Sequence, residues 1–188
     1  MSASILENKH VRERALSIST EQYHRLWEAG IIGERTELIA GVIVEKMTKS
    51  PLHSLIVQRL FDWLHTLLPE NSFLRMEQPL TLADSEPEPD ISLVRGNRED
   101  YANRHPDTAL LAIEVAVSTQ ELDRAKASIY AAANIPEYWL ILPAEKKIEV
   151  YREPREGQYA RCEVIVSDQE LSLEGMRTLR VNLRDLFA

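Results

Sequence analysis

One ionisable side chain, Glu114, sits inside the apolar run "ALLAIEVAV", and no other feature restricts the fold of this chain as strongly. Read as a β-strand, the run turns Ile113 and Val115 to one face and Ala112, Glu114 and Ala116 to the other. An ionised carboxylate left unpaired in such surroundings would cost many kcal/mol, so the fold must bring a cation to it. A lysine or arginine could supply that charge, and so could a metal ion. The flanking alanines leave room on the face of Glu114, which tilts the balance toward a site.

Helical and β patterns alternate around this strand. "SISTEQYHRLWEAG" has Ser19 and Gln22 at capping-box spacing and stops at Gly30, which predicts a short helix. "TELIAGVIVEKM" predicts a hairpin that turns at Ala40 and Gly41. Ser50 and Pro51 open a helix in which Leu52, Leu55, Ile56, Leu60, Trp63, Leu64 and Leu67 recur every three or four residues, through Leu68 to Pro69. "SFLRMEQPLTLA" reads as one strand kinked at Pro79. The acidic turn "SEPEPD" then leads to a strand at 90–94, a polar loop over 95–108 and a strand near 109–117. A helix near 120–133, a strand at 137–142 and a hairpin from "KKIEVYR" and "YARCEVIVS" follow, before the short pieces of "RTLRVNLRDLF". The predicted class is α/β (α+β), a mixed central sheet flanked by helices with extra β-hairpins. Residues 1–18 read as an N-terminal arm and 19–188 as one domain.

Composition narrows the function classes. Of 188 residues, 44% are hydrophobic and 28% charged, the balance of a soluble globular protein. No apolar run approaches the roughly 18–20 residues needed to cross a bilayer. The N-terminus lacks the apolar stretch of a signal peptide. A cytoplasmic location with no membrane partner is therefore expected. The one cysteine, Cys162, excludes an intramolecular disulfide and reads as a small strand residue. No His-Glu-x-x-His pattern and no glycine-rich phosphate loop is present, and His53 reads as a capping or solvent-facing helix residue. The net charge of −8 opposes a simple nucleic-acid binder, whose affinity comes largely from phosphate contacts. It does not oppose an enzyme whose metal-holding carboxylates add negative charge. Arg95, Arg98 and Arg104 form either a local basic cluster or scattered solvated charge.

Asp90 closes "SEPEPD" and opens the run "ISLV", where a carboxylate after proline, taken alone, reads as a turn residue. A carboxylate at the start of one strand and another within a neighbouring strand can converge on one hard ion, which prefers oxygen ligands. Lys126 follows Glu114 by twelve residues and shares a helix face with Asp123 and Tyr130. Leu122, Ala125, Ile129, Ala132 and Ala133 make up the other, apolar face. Lys126 could form a surface ion pair with Asp123, worth under about 1 kcal/mol. Its ammonium could instead stabilise charge on a phosphate.

The strings "TELIAGVIVEKM", "SPLHSLIVQRL", "SEPEPDISLV", "LLAIEVAVST", "LDRAKASIYAAANIPEYWLI" and "KIEVYRE" together resemble the Uma-two family over roughly residues 19–186. That family is labelled as restriction endonucleases and belongs to the PD-(D/E)XK nuclease superfamily. The resemblance implies a restriction-endonuclease-like core that binds magnesium, with manganese as a substitute, and cleaves phosphodiesters. The family's aspartate falls on Asp90 and its glutamate on Glu114. The superfamily lysine two residues after that glutamate is replaced here by Ala116, and a lysine of the following helix, Lys126, takes the role. Glu37, in "ELIAG", is similar to an early acidic residue that assists the metal, and a hairpin surface charge is the other reading of it. Leu142 stands where many relatives carry aspartate after "EYW", at a position that ends a strand.

The expected function is magnesium-dependent hydrolysis of DNA phosphodiesters. Asp90, Glu114 and the Val115 carbonyl are expected to hold the ion, with Glu37 assisting, while Lys126 orients or activates the nucleophile and offsets charge. Cutting both strands of double-stranded DNA needs two sites, which implies a homodimer. The rival readings are a catalytically silent nuclease fold serving as a DNA-binding or protein-interaction module, and an RNA-directed nuclease.

Overall fold

Local signals account for the first elements. The computed structural model describes residues 8–166, 169–171, 179–181 and 183–188, so the expectations for residues 1–7 and for parts of the tail lie outside it. Helix α1 (Lys9–Arg12) is a single turn. Helix α2 (Thr20–Glu28) carries the expected capping box, with the Gln22 N–H donating to Ser19 Oγ at 3.2 Å and the Ser19 N–H to Gln22 Oε1 at 2.9 Å. Strands β1 (Thr36–Ile39) and β2 (Val42–Glu45) pair antiparallel through a turn in which Ala40 and Gly41 have φ of 48° and 74°. Two positive φ values suit the right-handed twist of a tight hairpin.

Gly41 also has Ser17 against it: a Cβ there would stand 2.6 Å from Ser17 Cβ. Gly41→Ala should therefore destabilise the protein by more than about 1 kcal/mol, read as a lower urea midpoint. An unchanged midpoint would mean that the chain at Ser17 yields freely.

The main sheet has six strands in the order β3 (Ser72–Met76), β4 (Ile91–Arg95), β5 (Leu111–Val115), β6 (Glu137–Leu142), β7 (Lys147–Arg155) and β8 (Gln158–Ile165). Only β5 and β6 run parallel, and their crossover is helix α4 (Gln120–Ala132). The other neighbours pair antiparallel. Helix α3 (Pro51–His65) covers one face, where Ile56, Val57, Leu60 and Leu64 pack with Leu93, Ile113, Val115, Trp139 and Ile141. Helix α4 covers the other, where Ala127 and Tyr130 pack with Ala112, Ala116, Tyr138 and Leu140. Each large side chain buried this way contributes about 1.5–3 kcal/mol. The short strands β9 (Gln169–Leu171) and β10 (Leu179–Val181) pair with each other, and α5 (Leu183–Leu186) adds Leu183 and Leu186 to the α3 side. No helix among the described residues is long and apolar enough to cross a membrane.

The α/β class and the mixed, helix-flanked sheet are as expected, but several boundaries and faces differ. Helix α3 stops at His65 rather than Leu68, with Thr66 as its cap. Leu52 and Leu55 are exposed, while His53 lies on the buried side with Ile56, Val57, Leu60 and Leu64. The strand "SFLRM" ends at Met76 because Glu77 adopts φ 52° and Arg75 ties the chain down beyond it, donating to Gln78 Oε1 and the Pro79 carbonyl. Helix α4 turns its polar stripe toward the sheet. Asp123, Lys126 and Tyr130 face inward, whereas Ala125 and Ala132 are exposed and Leu122 and Ile129 only half-buried. Exposing alanines forfeits little apolar area, and the inward polar stripe meets charged partners.

Candidate functional site

The hairpin and the acidic turn are stitched together, and that stitching assembles the site. The Glu86 N–H donates to the Leu38 carbonyl at 2.7 Å, the Gly41 N–H to the Asp84 carbonyl, and the Ala40 N–H to Ser85 Oγ. β1 is thereby held along residues 84–88, which lead directly into Asp90. Glu37, in the middle of β1, is buried and accepts the Glu88 N–H. It is part of the cleft and no hairpin surface charge.

Asp90 is buried at the mouth of β4. Its Oδ2 accepts the Val115 N–H at 2.8 Å and His53 Nε2–H at 3.0 Å, and Lys49 Nζ lies 3.6 Å from its Oδ1. The solvent-facing reading of His53 is thus corrected. Its register with Ile56, Val57 and Leu60 on one helix face was the available signal. With Nε2 donating to Asp90, its buried Nδ1 is left without a hydrogen-bond partner. Glu114 lies on the α4 side of β5, where its Oε1 accepts both Lys126 Nζ at 2.9 Å and Tyr130 Oη at 2.8 Å.

Lys126 is only 4% exposed. Its Nζ stands 3.0 Å from Glu37, 2.9 Å from Glu114 and 3.8 Å from Asp123. Of the two readings of Lys126, the solvated surface pair with Asp123 is ruled out: the ammonium is the buried hub of three carboxylates. Asp123 in turn accepts the hydroxyl of Thr119. Burial alone would lower the pKa of Lys126, but Glu114, Glu37 and Asp123 outweigh it and raise it, so the ammonium keeps its proton. Desolvation lifts the Glu114 carboxyl well above the ordinary range, with Lys126 offsetting it in part, and lifts Asp123 as well.

Four carboxylates (Glu37, Asp90, Glu114 and Asp123) thus share one buried ammonium and Lys49 at the rim. The other buried carboxylates, Glu86, Glu137 and Glu149, are matched differently, Glu86 by His24 Nε2 and the Thr81 hydroxyl. Glu137 is paired with Arg152 and accepts Trp139 Nε1–H, and Glu149 is paired with Arg124 and Lys147. Glu137 and Glu149 form satisfied structural ion pairs, whereas around Lys126 three carboxyl groups share one ammonium. The cleft is narrow, about 110 Å³, and the segment 46–50 with Lys46 and Lys49 forms part of its wall. Arg95 and Arg98 are exposed outside it.

A hard divalent cation fits this donor set. Among the described residues no three His, Cys, Asp or Glu side chains form a complete cage, because Lys126 Nζ occupies the point where Glu37, Glu114 and Asp123 converge. Magnesium is commonly held by one or two carboxylates with water and substrate oxygens. The donors to Glu114 both use Oε1 and the hydrogen bonds to Asp90 both use Oδ2, so Glu114 Oε2 and Asp90 Oδ1, the latter facing Lys49 Nζ at 3.6 Å, are the oxygens left for such a ligand.

Comparison with known proteins agrees with the fold. A solved structure described as "a putative nuclease belonging to DUF820 from Anabaena variabilis ATCC 29413" superposes with a TM-score of 0.69 at 23% identity, over 86% of this chain and 96% of that one. No curated protein matches the chain. The family profile described as "Uma2: Putative restriction endonuclease" matches residues 20–184, nearly the whole sequence, and the chain belongs to that family.

Proposed function

We propose that this protein is a magnesium-dependent endonuclease that hydrolyses DNA phosphodiesters at the cleft of Asp90, Glu114 and Lys126, with manganese as a substitute. One observation carries the reading: Glu37, Glu114 and Asp123 converge on the single buried ammonium of Lys126 in a narrow cleft, beside Asp90, which is held by His53 and faces Lys49. A cation would relieve this crowding of carboxyl groups, while Glu137 and Glu149 each have an arginine of their own. The family's description as restriction endonucleases supports the same chemistry.

Asp90, Glu114 and the Val115 carbonyl would hold the ion, with Glu37 behind them. The chemistry such an ion supplies is a lowered pKa for the attacking water and neutralisation of charge growing on the phosphate. The chain's own residues prepare the site. His53 and the Val115 N–H fix one oxygen of Asp90, and Lys126 and Tyr130 fix one of Glu114. Lys126 is held protonated, so it acts as a fixed positive charge that orients carboxylates and offsets phosphate charge, rather than as a base. Cutting both strands of a duplex requires two such clefts, and the proposal includes a two-fold homodimer.

Thermal denaturation tests it. Magnesium or manganese should raise Tm relative to EDTA, because a ligand of the native state stabilises it by mass action. Asp90→Asn combined with Glu114→Gln should remove the increment. The pH dependence has a definite sign. With its pKa raised on folding, Glu114 favours the fold when protonated, and that contribution fades as pH rises from about 4.5 through the folded value. A cation replaces the proton, so the metal-induced increment should grow with pH. An increment that survives both substitutions would put the metal elsewhere.

A further inference from the structure

A second cavity, about 940 Å³, adjoins the carboxylate cleft and shares a wall with it, a size that suits a small ligand. Along residues 86–90, Glu86 lines the second cavity, Glu88 lines both, and Asp90 lines the carboxylate cleft. On β1, Thr36 lines the second cavity and its neighbour Glu37 the first. Consecutive strand residues face opposite sides, so the two cavities meet at Glu88, whose carboxylate is paired with Lys46 at 2.8 Å. A nucleic-acid strand held by one phosphate at Asp90 and Glu114 and running past Glu88 reaches this cavity.

The groups lining it are those that recognise a base. Trp27 of α2 is 51% exposed, and Tyr101 adds a second aromatic wall. Among the described residues, no hydrogen bond or ion pair engages the side chains of Trp27, Asn103 or Arg104. His105 Nδ1 lies 3.1 Å from a guanidinium nitrogen of Arg75. A guanidinium only donates, so Nδ1 is bare and Nε2 carries the proton. Burial and the Arg75 charge lower the pKa of His105, keeping it a neutral donor at neutral pH. Glu28, Glu34 and Asp107, also without partners among the described residues, line the cavity as well, while Glu86 is taken by His24 and Thr81. Three carboxylates against Arg104 repel a phosphate but accept the amino groups of a base.

We propose that this cavity, with Trp27 as its stacking face and Asn103, Arg104 and His105 at its edge, takes an unpaired nucleobase next to the phosphate held in the carboxylate cleft. The inference rests on the nuclease reading and specifies its substrate: a nucleic acid whose nucleotide beside the cut is unpaired. A base within a perfect duplex has both faces stacked and its pairing edge occupied, so it must come from a single strand or be flipped out.

Tryptophan fluorescence in EDTA, where nothing is cut, tests the inference. A short single-stranded DNA and a duplex with one bulged nucleotide should quench the emission, and the perfect duplex should do so far more weakly. Trp27→Leu should abolish the quenching and weaken binding about tenfold or more, the scale of one lost base–aromatic stack. Stronger binding of the bulged duplex would assign a flipped base, and stronger binding of the single strand a single-stranded substrate; each supports the proposal. Equal quenching by the perfect duplex, unchanged affinity in Trp27→Leu, or quenching by an arginine-rich peptide but not by DNA would overturn it. Trp27-dependent binding without cleavage under any metal would sink the nuclease reading and keep the base site. Cleavage by the parent protein with the same preference in Trp27→Leu would do the reverse.

Discussion

Lys126→Met is expected to lower stability by about 3–5 kcal/mol, the usual cost of removing one partner from a buried ion cluster. For a chain of this size that corresponds to a fall in Tm of roughly 10 °C. The methionine fills the space of the lysine stem, so packing is not the cause. Glu37, Glu114 and Asp123 would be left buried without their common cation. Their folded-state pKa values should then rise further, so the folded form binds more protons than the unfolded chain. The loss should accordingly be largest at neutral pH and shrink as pH falls through the carboxylate range. Lys126→Arg, which keeps the charge, should recover part of the stability. Glu37→Gln in the Lys126→Met background should do so as well, with a coupling of about 0.5–3 kcal/mol in a double-mutant cycle. A Tm that does not respond to Lys126→Met at any pH would return this residue to the role of an exposed surface charge, worth less than about 1 kcal/mol.

Asp90→Asn and Glu114→Gln should each slow cleavage by about 10²–10³-fold, the scale for removing one preorganised electrostatic group, without destabilising the metal-free protein. In the first variant the amide oxygen of the new side chain can still accept from the Val115 N–H and His53. The second exchanges a carboxylate that burial already disfavours in its ionised form for a neutral group of the same shape. Stability and activity should thus separate, with Lys126 expected to carry the larger share of the first, and Asp90 and Glu114 the larger share of the second. Nicking of supercoiled plasmid in magnesium, manganese and EDTA measures the rates, and urea denaturation in EDTA measures the stabilities. Either variant cutting as fast as the parent would remove that residue from the site.

Much of the fold is readable in the residues, because its determinants are local. The capping box at Ser19 and Gln22, the Ala40-Gly41 turn, and Ser50-Pro51 at the start of α3 each act within a few positions. The strand carrying Glu114 turns its alanines and its large aliphatic residues to opposite sides, as period-2 alternation requires. Element ends are less legible. Helix α3 closes at His65 and β3 at Met76 through contacts made by Thr66 and Arg75 that no propensity encodes.

The helix faces depart from the periodic pattern for a physical reason. Apolar periodicity assigns the inward face by hydrophobicity, yet the alanines of α4 have little area to bury and its polar stripe has charged partners waiting. Lys126 and Asp123 therefore turn inward, toward Glu37 and Glu114. His53 follows the same logic on α3, buried because Asp90 is there to accept its proton.

The sequence by itself determined that a carboxylate would lie within a buried strand and that some cation would have to meet it, since unpaired burial is too costly to persist. Which groups meet was decided only by the tertiary structure. Glu37, Asp90, Glu114 and Lys126 come from a hairpin, a turn, a sheet strand and a helix. Their convergence depends on backbone hydrogen bonds from β1 to residues 84–88 and on the parallel β5–α4–β6 crossover. Such long-range pairings are set by packing the whole chain, and no local pattern of residues records them.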